Sequence, residues 1–174
     1  MKILAVIPAR FGSTRFPGKP LVDMGGLTMI QRVYQQVTKA KHIHQIVVAT
    51  DDERIEQQVL SFGGRCLMTD TKHSSGTDRC YEALSNQTEQ FDYVINIQGD
   101  EPFIDPIQID TLAQQLNGQN QLVTLVKKLN SLEQIHSPHI VKVVFTNQHQ
   151  ALYFSRSPIP YNRPYDDAQL CQVV

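Results

Sequence analysis

The chain has 174 residues, 41% of them hydrophobic and 19% charged, with a formal net charge of −1. That length and composition exclude a disordered chain and predict one globular domain whose core needs neither disulfides nor a structural metal. A charge so close to zero gives no reason to expect a nucleic-acid partner, and no apolar run is long enough to span a membrane.

In chain order, Ile3–Ile7 is a continuous apolar run, as expected of a strand buried on both faces. Too short for a signal peptide, it is ended by Pro8 and Arg10. Met29–Ala40 carries Ile30, Val33, Tyr34 and Val37 at helical spacing, with Thr28 placed to cap it. Ile46–Thr50 predicts a second strand. Asp52–Phe62 predicts a helix stopped by Gly63-Gly64, and Arg65–Met68 a short third strand. Thr77–Ser85 reads as helix, Tyr93–Ile97 as a fourth strand, and Pro106–Leu116 as a helix with proline in its first turn. Beyond these, Leu122–Val126, Val141–Phe145 and Ala151–Phe154 read as strands. The alternation predicts an α/β fold with a mainly parallel sheet. Ligands of such sheets bind beyond the carboxyl ends of the strands. Pro8–Lys19, Thr50–Asp52 and Gln98–Glu101 are the chemically rich strand ends.

The segment Pro8-Ala9-Arg10-Phe11-Gly12-Ser13-Thr14-Arg15-Phe16-Pro17-Gly18-Lys19-Pro20 follows the first strand directly. Residues 1–20 hold Lys2, Arg10, Arg15 and Lys19 and no carboxylate. Gly12 and Gly18 allow backbone conformations that turn N–H groups toward an anion, Arg10 and Arg15 can fork onto phosphate oxygens, and Lys19 adds a point charge. Together they predict a site for a triphosphate. It is not a P-loop, because five residues separate the two glycines and Pro20 stands where the magnesium-binding hydroxyl would be. Nor does it contain the dinucleotide pattern G-x-G-x-x-G.

His73-Ser74-Ser75-Gly76-Thr77-Asp78-Arg79 precedes a predicted helix, where Ser, Thr and Asp also suit capping. Asn96-Ile97-Gln98-Gly99-Asp100-Glu101-Pro102 ends the fourth strand. Period-two geometry would put Gln98 and Asp100 on one side of that strand if it continued so far. A carboxylate there suits Mg²⁺, which takes one or two carboxylates plus phosphate oxygens. Asp51 or Asp52 is read as the cap of the helix that follows, with these acids complementing its N-terminal dipole. The six histidines show no ligand spacing. The three cysteines, an odd number without C-x-x-C spacing, predict free thiols in a reducing, cytoplasmic compartment.

These strings closely resemble the signatures of the 3-deoxy-manno-octulosonate (Kdo) cytidylyltransferase family: Pro8-Ala9-Arg10, Gly12-Ser13-Thr14-Arg15, Pro17-Gly18-Lys19-Pro20-Leu21, His73–Arg79 and Asn96–Pro102. The resemblance extends through Val141–Val144 and Leu152–Tyr161. It implies a Rossmann-like, three-layer nucleotide-diphospho-sugar transferase fold with a mainly parallel mixed sheet. The implied reaction couples CTP and Kdo to give CMP-Kdo and pyrophosphate, for lipopolysaccharide biosynthesis.

The same resemblance implies nucleotide binding by Pro8, Ala9, Arg10, Gly12, Ser13, Arg15, Lys19, Ser75, Gly76, Thr77 and Arg79. Gln98 is implied on the sugar, Asp100 on Mg²⁺, and Arg10, Lys19 and Asp100 as catalytic. The family extends well past residue 174. Residues 1–174 are therefore expected to form a single nucleotidyltransferase domain incomplete at its C-terminus. The missing region is expected to bring a second magnesium aspartate, much of the sugar pocket and a homodimer surface. Two other readings stand beside this one: a cytidylyltransferase for another acidic sugar such as sialic acid, and a catalytically inactive nucleotide-binding module.

Overall fold

In the computed structural model the described residues are 1–12 and 16–160. The chain divides into two compact units, Met1–Val123 and Thr124–Val174.

The first unit is built on a four-stranded sheet, β1 (Ile3–Ala9), β2 (Gln45–Thr50), β3 (Cys66–Met68) and β4 (Tyr93–Asn96), in the order β3-β2-β1-β4. All neighbouring pairs are parallel. β1 is central because its residues suit burial on both faces. Ile3, Ala5, Ile7 and Ala9 pack on one side with Ile30, Val33 and Val37 of α1 (Met29–Val37), Ile55 and Val59 of α2 (Glu53–Ser61), and Ile109 and Ala113 of α4 (Pro106–Gln114). Leu4 and Val6 pack on the other side with Val47, Ala49 and Cys80 and Ala83 of α3 (Gly76–Ser85). Fully burying such aliphatic side chains contributes about 1.5–3 kcal/mol each, which makes this three-layer packing the main stabilising term.

Several predicted boundaries hold for the predicted reasons. Asp52 caps α2, accepting from Arg54 N at 3.0 Å, and Pro106 stands in the first turn of α4. Asp105, not singled out in the sequence, caps α4 by accepting from Ile107 N at 2.9 Å. Gly63 ends α2 with φ +78, a conformation that side chains resist. Others shift. α1 stops at Val37 rather than Ala40, because the amides of Lys39 and Ala40 bond three residues back and tighten the last turn. Thr28 holds the capping position of α1, but its hydroxyl makes no cap bond.

The second unit contains α5 (Leu132–His136) and the antiparallel pair β5 (Lys142–Phe145) and β6 (Ala151–Ser155). The expected strand Leu122–Val126 does not form. It has no ladder partner among the described residues, and Leu122 and Val126 are 88% and 51% exposed. α5 was not expected; Ser131 starts it by accepting from Gln134 N at 3.2 Å. Lys142 is buried in this unit, with no carboxylate partner among the described residues. Its ammonium donates to the carbonyls of Ser137 at 2.8 Å and Ile140 at 2.9 Å, and to that of Arg156.

Among the described residues no helix is long and apolar enough to cross a membrane.

Candidate active site

Strand order reverses between β1 and β4: the chain runs outward through β2 and β3, then returns to the other side of β1. Such a switch point opens a crevice beyond the carboxyl ends of the two strands. Here it is a cleft of about 510 Å³ lined by Pro8, Ala9, Arg10, Phe16, Lys19, Pro20, Gln98, Gly99 and Asp100. A smaller cleft of about 190 Å³ adjoins it. Pro8, Ala9, Arg10 and Gln98 line both, and His73, Ser74, Ser75, Gly76 and Arg79 complete the smaller one.

Two glycines bring these walls together. A Cβ on Gly99 would meet Pro8 O at 2.8 Å, so the loop after β4 can lie against the end of β1 only without a side chain. Gly18 has φ +70 and its amide bonds Phe11 O at 2.9 Å, which turns Lys19 into the cleft mouth. Gly12 has open space around it and needs no such conformation, so the reason given for both glycines holds for Gly18 alone.

Arg10 is exposed and, among the described residues, has no hydrogen-bond or ion-pair partner. Its guanidinium is therefore available to an anion. Lys19 Nζ donates to Asp100 Oδ2 at 2.6 Å across the larger cleft, with both side chains part-exposed. β4 stops at Asn96, and a turn in which Glu101 N bonds Gln98 O at 3.2 Å follows. Gln98 and Asp100 thus share the cleft by turn geometry, not by strand alternation.

Ser75 caps α3 and faces the smaller cleft. Its Oγ accepts from Asp78 N at 3.1 Å and donates to Asp78 Oδ2 at 2.7 Å, and Ser74 Oγ adds a bond at 3.2 Å. These bonds from Ser75 and then Ser74 hold the Asp78 carboxyl below its usual range. His73 pairs with Glu82 and lowers that carboxyl in the same way. Thr77 is exposed on the first turn of α3 and does not line either cleft.

Arg79 lines the smaller cleft yet is only 4% exposed. Its Nη2 bonds Asp51 Oδ2 at 2.7 Å and its Nη1 bonds Thr69 Oγ1. Of the two acids offered as the cap of α2, Asp52 does the capping and Asp51 is this partner. An acidic residue after a strand gives no sign of which helix its side chain will reach. His73, Ser74, Phe16 and Gly99 were likewise not singled out, because nothing in their residue type marks a cleft wall. Ser13 and Arg15 lie outside the described residues.

Among the described residues no group of three or more His, Cys, Asp or Glu side chains could cage a metal. Mg²⁺ does not require one, since it keeps waters and takes phosphate oxygens. The Asp100 carboxylate already accepts a cation, the Lys19 ammonium, inside the cleft, so its position and chemistry fit a metal that arrives with a phosphate.

A parallel sheet with a charged cleft at its switch point defines a nucleotide-binding α/β protein, and the cytidylyltransferase family profile matches residues 4–171. The chain belongs to that family. It is 51% identical over 167 residues to a 3-deoxy-manno-octulosonate cytidylyltransferase of Cytophaga hutchinsonii, covering 96% of this chain and 67% of the relative. It is 46% identical to an 8-amino-3,8-dideoxy-manno-octulosonate cytidylyltransferase of Shewanella loihica, covering 96% of this chain and 70% of the relative. The solved structure of CMP:2-keto-3-deoxy-manno-octonic acid synthetase complexed with CTP superposes with a TM-score of 0.84 at 43% identity, covering 94% of this chain and 68% of that one. The chain thus spans about two thirds of the length of such relatives.

Proposed function

We propose that these residues form the CTP-binding and catalytic part of a cytidylyltransferase that joins CTP to 3-deoxy-manno-octulosonate. The observation that carries this reading is the pair of adjoining clefts at the β1/β4 switch point, one charged and one built on the start of α3. The larger holds the triphosphate, with Arg10 and Lys19 on its oxygens. The smaller holds the cytosine against Pro8, Ala9, Ser75, Gly76 and Arg79. Gln98, exposed between the two, meets the sugar.

In the reaction a hydroxyl of the sugar acid gives up its proton to water as its oxygen bonds to the α-phosphorus of CTP. The bond from that phosphorus to its bridging oxygen breaks, and pyrophosphate leaves with the electron pair. The work of the chain is positioning and charge stabilisation: the guanidinium and ammonium groups offset charge that grows on the phosphoryl oxygens. Mg²⁺ bound with the nucleotide would polarise those oxygens, and Asp100 is the carboxylate placed to hold it. The free thiols of Cys66 and Cys80 support a reducing, cytoplasmic setting.

A second reading of the sugar, 8-amino-3,8-dideoxy-manno-octulosonate, is favoured by the similarity to the Shewanella loihica protein. Calorimetric titration with CTP, UTP, ATP and GTP in Mg²⁺ tests the nucleotide, and a coupled pyrophosphate assay with each sugar acid tests the acceptor. Equal affinity for all four triphosphates would remove the cytidine assignment.

A further inference from the structure

Arg79 is the one cationic side chain of the smaller cleft that is buried, and it is fixed from behind. Asp51, the first residue after β2, takes Nη2 at 2.7 Å; Thr69, the first after β3, takes Nη1. Thr69 is itself tied down: its Oγ1 donates to Thr50 O at 3.1 Å, and its amide bonds the same oxygen at 2.8 Å. Two strand ends thus converge on one guanidinium. A guanidinium has five N–H donors in a rigid plane and no acceptor. Two of the five are used by these anchors, so a residue that lines the smaller cleft keeps three donors and no acceptor. Cytosine presents two adjacent acceptors, O2 and N3, whereas uracil presents an N–H at position 3 and would meet donor with donor.

From this we infer that Asp51 is a positioning residue for base choice: through Arg79 it presents fixed donors to a pyrimidine in the smaller cleft and so favours cytosine over uracil. The inference rests on the base lying in that cleft, as proposed above. Asp51 lines neither cleft, so it acts on the ligand only through Arg79. A plain staple between β2 and α3 would use the same contacts but would not set nucleotide preference.

The test is titration of the 174-residue chain with CTP, UTP and tripolyphosphate in Mg²⁺, for wild type, Asp51→Asn and Thr69→Val. Asn keeps an acceptor for Nη2 and removes the charge; Val keeps the shape of Thr69 and removes the acceptor. CTP affinity should fall about tenfold in each variant, the scale of one charge-assisted hydrogen bond. The CTP-over-UTP ratio should fall with it, while tripolyphosphate affinity stays within about twofold of wild type. If Asp51→Asn fails to fold, Thr69→Val decides. A folded variant that keeps the wild-type CTP-over-UTP ratio overturns the inference. A wild type that binds CTP no better than UTP overturns the base assignment itself, an outcome read before any variant is made.

Discussion

Lys19 Nζ and Asp100 Oδ2 stand 2.6 Å apart across the larger cleft, so the cation assigned to phosphate and the carboxylate assigned to metal neutralise each other. In the proposed reading nucleotide and metal would separate them, phosphate taking Lys19 and Mg²⁺ taking Asp100. Asp100→Asn should therefore act in opposite directions with and without Mg²⁺. Without metal, tripolyphosphate should bind about two- to fivefold more tightly, the scale of a part-exposed ion pair. With metal, CTP should bind more weakly than to wild type. Lys19→Met should weaken binding under both conditions. Calorimetry on the three proteins decides, and parallel changes for Asp100→Asn in the two buffers would separate that residue from the metal.

Gly99 tests how the cleft is assembled. Its missing side chain lets the loop after β4 lie against Pro8 O, where a Cβ would stand at 2.8 Å from a backbone atom. Gly99→Ala should cost about 1–3 kcal/mol, the range for overpacking a site whose neighbour cannot yield. Urea unfolding gives the cost. CTP affinity should fall as well, because the displaced loop carries Gln98 and Asp100.

Lys142 tests the second unit. Replacing it with Met removes a buried charge, which by itself can stabilise. It also leaves the carbonyls of Ile140 and Arg156 without the donor that serves them, while Ser137 O keeps the Ile140 amide at 3.3 Å. Orphaned acceptors at about 1–3 kcal/mol each outweigh the gain, so Lys142→Met should destabilise this unit. Amide exchange along residues 137–156 should quicken, with exchange in β1 unchanged.

Both described thiols are pushed up to about 11 by burial, Cys66 on the edge strand β3 and Cys80 on the buried face of α3. Nearby Glu56 adds to the rise at Cys66. A raised folded pKa means that the native state holds its proton while the unfolded chain, near 9, loses it. The stabilisation is complete below pH 9 and lost as pH rises toward 11. Thermal melts between these values should show falling stability, and the double variant Cys66→Ala, Cys80→Ala should show a shallower slope. At neutral pH both thiols should alkylate slowly.

The four parallel strands were legible because unbroken apolar runs such as Ile3–Ile7 can only be buried on both faces, and parallel pairing buries them. Capping acids and Gly63 made the helix limits readable. Leu122–Val126 was misread because apolar character fixes burial preference but not a ladder partner. α5 was missed because five residues are too few for a period. Within the cleft region, Arg10, Lys19 and Asp100 stood out by charge and position after strands, whereas Pro8, Ala9 and Gln98 were singled out only by the family resemblance. Which of Asp51 and Asp52 would cap α2 was not legible, since the partner that draws Asp51 away, Arg79, lies 28 residues on.

The parallel register also sets an order in time. Ile3 pairs with Tyr93, and Lys2 N bonds Asp92 across a separation of 90 residues. Long-range parallel pairing of this kind closes late, because the loop entropy must be met before the contacts repay it. On a ribosome adding about 5–20 residues per second, the first strand waits roughly 5–20 s for the fourth to emerge. Until then β1 carries an open edge and the nucleotide cleft has only one wall. Ligand cannot template the early stages of folding, and proteases or chaperones meet the chain before CTP does.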